Sequence, residues 1–171
     1  MPVQRTRLTG DARRPYGSQI FRRIGWFVLG VDLVFIGLVV AILRSYGPGQ
    51  VPPVLVGGVL GEAYLLLDRE RLRRRVLEGD QSVAALSQAG PRLRQELLAA
   101  YRARATVLLT LPYHLAIVAY GAWAWPWRTV DNWDLIAAGA FVSFIAALGL
   151  ANGVQFLYFS RLAGRIIASS N

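Results

Sequence analysis

Cysteine and lysine are both missing from this chain of 171 residues, and histidine occurs once. The lack of cysteine excludes disulfides, thiolate metal sites and thiol nucleophiles together. A single histidine, His114, cannot give a haem two imidazole ligands within one chain. The Glu-x-x-His pairs of carboxylate-bridged two-metal bundles are absent as well. Acidic residues are few, ten against nineteen basic, and the formal net charge is +9. All nineteen basic residues are arginines, a codon signature of a GC-rich bacterial genome. Ser143 has no base at a spacing that would activate it, so the sequence offers no catalytic constellation and predicts a protein that is not an enzyme.

Apolar sequence is abundant: 54% of the residues are hydrophobic. They gather into four stretches, about 24–44, 52–67, 105–125 and 135–159. A helix crosses the roughly 30 Å of a bilayer core with about 20 apolar residues. The reading is an all-α integral membrane protein with four transmembrane helices arranged as two hairpins. Residues 1–23 form a basic N-terminal segment, and residues 24–171 form one membrane domain with a helical loop at 68–104. The first stretch is too long for a signal-peptide core and lacks a cleavage pattern, so it reads as a retained span.

Arginine distribution orients the spans. Arg5, Arg7, Arg13, Arg14, Arg22 and Arg23 precede the first. Nine more, from Arg69 to Arg104, lie between the second and third, and Arg161 and Arg165 follow the fourth. Only Arg44 and Arg128 fall on the other side. The positive-inside rule places both termini and the long loop in the cytoplasm of a bacterial inner membrane. Trp123, Trp125, Trp127 and Trp133 crowd the outer turn, at the headgroup level that amphipathic rings prefer. The arginines flank spans, so they meet lipid headgroups and not nucleic acid. The outer connections are too short for an external receptor domain.

In the loop, Asp68–Glu78 extends the second helix, with Glu70 and Arg74 placed for an ion pair four residues apart. Pro91 starts a further helix that is expected to continue into the third span. Leu93, Leu97 and Tyr101 make an apolar stripe on it, suited to lying on headgroups or to docking a partner subunit.

Every span carries a polar group that its depth should disfavour. These are Asp32, Glu62, His114 and Asn152, with Gln155 one turn on. Counted from the arginine-rich ends, all lie about 8 to 14 Å deep, which predicts one polar layer. Three readings stand. The groups lock helices by hydrogen bonding one another. Alternatively Asp32, Glu62 and His114 form a proton or cation path in a small homo-oligomer. In the third, His114 ligates a chlorin or haem. Pro112 frees the carbonyl of Leu108 and kinks the helix beside His114.

Small residues form close-packing faces. Gly57 and Gly61 lie on the second span; Gly139, Ser143, Ala147 and Ala151 on the fourth. Gly149 and Gly153 form another pair there, with a face to spare for a neighbouring subunit. Gly61–Arg69 and Gly153–Arg161 also align without gaps at a glycine, an aromatic, a leucine and an arginine. That alignment hints at two parallel repeats about an axis normal to the membrane.

Arg22-Arg23 before the first span, Gly57-Gly58-Val59-Leu60-Gly61-Glu62 in the second, and Asp68-Arg69-Glu70-Arg71 closing it give a likeness over the first 80 residues or so. In these the chain resembles the bacterial ATP synthase subunit I family of small four-span accessory proteins. The long loop and the Trp-rich turn have no counterpart in that likeness. The resemblance implies an assembly or ion-handling role, with Glu62 as the residue of interest. The function expected is that of a non-catalytic accessory, scaffold or assembly subunit, partnered by lipid and by other membrane subunits.

Overall fold

A computed structural model describes residues 16–78, 99, 101–124 and 132–169. Among them there are four long helices and no strand. Helix α1 is Tyr16–Tyr46, α2 Val51–Leu77, α3 Ala103–Trp123 and α4 Trp133–Ser169. All four are long and apolar enough to cross a membrane. Their outward faces support that reading: Phe27 is 72% exposed, Leu33 67%, Leu108 67% and Phe141 65%. Water would not tolerate so much contiguous apolar surface on a lone soluble domain.

Local chemistry sets the helix ends. Gly47 has φ +77°, in the left-handed region where only glycine is unstrained, and it stops α1. Pro48–Gln50 then makes one 3-10 turn. Pro52 and Pro53 occupy the first turn of α2, where an N–H has no helical acceptor to lose. Asn132 caps α4: its Oδ1 accepts from the backbone N–H of Asp134 at 3.0 Å and of Leu135 at 3.3 Å.

Helix α2 continues past the apolar stretch to Leu77, as expected. Arg74 Nε and Arg73 Nη1 both donate to Glu70 Oε1, at 3.2 and 3.4 Å. The third helix differs from expectation. Arg102 is extended (φ −126°, ψ 101°), so α3 begins at Ala103 and no helix runs unbroken from Pro91 into the span. The break lets Tyr101 fold inward. Its ring meets Phe159 edge-on, with centroids 6.3 Å apart, and it is 2% exposed. Tyr101 is therefore core, not part of a docking stripe. Leu93, Leu97, Trp125 and Trp127 lie outside the described residues.

Helix α4 is the centre of the bundle. α1 and α2 each pack along it far more extensively than on one another, and α3 covers the seam between α2 and α4. Helices α1 and α2 share a short turn, and both pack along α4. Glycines make this possible. A methyl group on Gly57 would overlap the Ala140 carbonyl, and one on Gly61 the Phe144 carbonyl. On the other flank, a methyl on Gly153 would strike Leu29, and one on Gly149 would strike Asp32. Gly149 and Gly153 thus seat α1 and leave no free face for a partner, which corrects their expected docking role.

The repeat is not reflected in this packing. Under it, α3 should meet α2 as α1 meets α4, yet the α1–α4 contact is much the larger. Two apolar clusters close the ends of the bundle. Val39, Leu43, Val51, Val54, Ile117 and Ala146 lie toward the Gly47 turn; Tyr101, Phe159 and Ala163 lie toward the arginine-rich end. Asp32, Glu62, His114, Asn152 and Gln155 lie between these clusters along the helices, and Gln50 lies buried by the Gly47 turn.

Candidate functional site

Glu62 follows Gly61, one of the two glycines at which the α2 and α4 backbones meet, and it is 8% exposed. Its side chain meets α3. Thr110 and His114, four apart, share one face of that helix and both reach the carboxylate. Thr110 Oγ1 donates to Glu62 Oε1 at 2.5 Å. His114 Nδ1 stands 3.5 Å from Glu62 Oε2, an ion pair when the imidazole is protonated. Thr110 Oγ1 also lies 3.1 Å from the Thr106 carbonyl and 3.2 Å from that of Val107. A hydroxyl has one proton to give, and the charged acceptor at the shortest distance takes it.

Beside this group, Tyr113 and Ser143 hydroxyls are 2.9 Å apart and join α3 to α4. Gly58 completes the wall: a methyl there would stand 3.2 Å from Ser143 Oγ and 3.4 Å from His114 Nε2. The chlorin or haem of the third reading does not fit this arrangement. Nδ1 faces Glu62, and Nε2 is buried against the α2 backbone with no partner. Neither nitrogen has an open face for a flat ring metal complex.

Asn152 and Gln155 belong to a second group. Arg69 reaches inward from α2, giving Nε to Gln155 Oε1 at 2.9 Å and Nη2 to Asn152 Oδ1 at 3.4 Å. In the sequence Arg69 belongs to the topology-setting arginines, the repeat and the family likeness, but not to the expected polar layer. Its signal was the seven-residue step from Glu62, which returns to the same face of α2.

Asp32 stands apart from both. It is 2% exposed, and neither carboxylate oxygen has a hydrogen-bond partner. It packs against Gly149 and lines a cleft of about 230 Å³ between α1 and α4.

The expected single layer is therefore a staircase. Tyr113 meets α4 at Ser143, Asp32 at Gly149, and Arg69 at Asn152 and Gln155. Along α4 that span rises about 18 Å. Depths counted from the ends assumed helices ending in one plane. Helix α2 runs on to Leu77 and α4 to Ser169, so the ends are not level. No protein-family model, curated protein or solved structure matches the chain.

Proposed function

We propose that the protein is a non-catalytic accessory or assembly subunit of a larger complex, bioenergetic in kind, in a bacterial inner membrane. Both termini face the cytoplasm in this reading, on the arginine distribution. The observation that carries it is how the interior polar groups are used. Glu62 with Thr110 and His114, Tyr113 with Ser143, and Arg69 with Asn152 and Gln155 each join two helices. Pairing of this kind holds register in a bundle. The groups sit at separate levels, so their arrangement favours a scaffold over a conduit. The likeness to ATP synthase subunit I in Gly57–Glu62 and Asp68–Arg71 keeps the complex in the bioenergetic class. The experiment is purification of the tagged chain from native membranes in mild detergent. A native mass far above one 18.8 kDa chain, with other polypeptides present, is the expected result. A lone monodisperse chain overturns the reading.

The Glu62–His114 pair favours a second reading, a small oligomeric proton or cation transporter. A carboxylate and an imidazole 3.5 Å apart can exchange a proton. Reconstituted vesicles decide it: Glu62→Gln and Asp32→Asn should abolish flux, and unchanged flux removes the reading.

A further inference from the structure

We propose that the cleft between α1 and α4 is a binding site, open sideways to the lipid, for a single-ring amphiphile whose hydroxyl head hydrogen-bonds to Asp32. Three observations carry this. First, the cleft holds about 230 Å³, and an apolar cavity of about 150 Å³ is enough for benzene. Second, its lining is apolar and aromatic, from Phe27, Val31 and Phe35 on α1 and Ile145 and Leu148 on α4. Phe27 and Val31 are 72% and 46% exposed, so the mouth opens where acyl chains would lie. Third, the polar lining is unevenly satisfied. Asp32 is buried with two free oxygens, whereas Glu62, the other buried carboxylate, is held by Thr110 and faces His114. The Gln50 amide is unpartnered too, but it lies by the Gly47 turn and does not line the cleft. A buried polar group without a partner is costly, and more so when charged, so a ligand that supplies one is favoured.

Asn152 sets the chemistry of the head. Its carbonyl oxygen accepts from Arg69, which leaves its amide N–H groups to face a ligand. Asp32 offers an acceptor and Asn152 a donor. A hydroxyl is both donor and acceptor; an ammonium group is only a donor. On binding, one Asp32 oxygen turns from Gly149 to the hydroxyl. Phe27 and Phe35 flank the ring, and an alkyl tail leaves through the mouth.

The test is equilibrium binding of radiolabelled 4-hexylphenol to the full chain in lipid nanodiscs, with empty nanodiscs subtracted. Saturable binding is expected, with hexylbenzene and hexylammonium at least tenfold weaker competitors. Asp32→Leu should lose the preference for phenol over hexylbenzene. Val31→Trp fills the mouth from an exposed position and should remove binding while the unfolding temperature holds. Non-saturable uptake overturns the proposal as mere partition into lipid. Equal competition by hexylbenzene overturns the role of Asp32, tighter binding of hexylammonium overturns the hydroxyl, and undiminished binding to Val31→Trp overturns the cleft.

Discussion

Thr110 shows how one hydroxyl commits a helix. Its proton goes to Glu62 across the α2–α3 boundary and not to its own helix, whose Thr106 carbonyl lies 3.1 Å away. Thr110→Val keeps the shape and removes the donor. Interhelical hydrogen bonds in membranes contribute about 0.6 kcal/mol on average and up to about 1.7 kcal/mol. A loss of about 1–2 kcal/mol is expected here because the acceptor is a carboxylate. Reversible unfolding in mixed micelles measures it, and a loss below about 0.3 kcal/mol would mean that the Thr110 hydroxyl gives its proton to Thr106 and not to Glu62. Tyr101 gives a pH-dependent counterpart outside the spans. Burial pushes its hydroxyl above the ordinary tyrosine range, outweighing the Thr106 contact and the charge of Arg69. A folded-state pKa above the unfolded one means stability that is full below the ordinary tyrosine pKa and lost as pH rises through the raised one. Tyr101→Phe should flatten this loss at the alkaline end of a thermal-stability profile. An unchanged alkaline slope would place the titration elsewhere.

Helices were the most legible level of this chain. Length and apolarity gave the four elements, and Gly47 with Pro52 and Pro53 gave the first turn for stated reasons of backbone freedom. The close-packing role of Gly57 and Gly61 was legible too, because only a missing side chain lets two backbones touch. Which faces meet was not legible. In a membrane the outer surface is as apolar as the core, so the polar–apolar contrast that marks the inner face of a soluble helix is weak. Phe27 at 72% and Val39 at 2% exposure sit on one helix and read alike in sequence. For the same reason Gly149 and Gly153 were read as surplus, although they seat α1. Arg69 was hidden because a flexible side chain can leave the headgroups for interior amides. The Arg102 break was hidden because the burial of Tyr101, a tertiary effect, decides it. Substitution tests this packing order. Gly61→Ile should cost about 1–3 kcal/mol or more, since the Phe144 backbone cannot yield as a side chain would. Gly30→Ala, where nothing lies within contact range, should be near neutral or slightly stabilising. Equal effects in an unfolding assay would argue against the α2–α4 register described.

At the scale of the whole molecule, all four long helices carry exposed apolar side chains and are long and apolar enough to cross a membrane. Its lack of cysteine makes orientation directly testable, because any introduced cysteine is the only one. Single cysteines at Arg75 and Arg165 should label with a membrane-impermeant maleimide only after the cytoplasmic face is opened. One at Ser45 should label in intact cells. The reverse pattern would overturn the arginine-based topology.

Because α4 is the helix on which both α1 and α2 are built, the order of synthesis runs against the order of packing. The ribosome delivers α1 and α2 first, with Asp32 and Glu62 exposed, while the glycine-rich surface that receives them is still unmade. Until α4 is made, Asp32 lacks its seat against Gly149, whereas Glu62 already has Thr110 and His114 of α3 to meet. A chain stalled after α3 would leave two early helices without their common seat, a ready target for membrane proteolysis. Helix α4, made after α1 and α2, thus acts as the completion check for them.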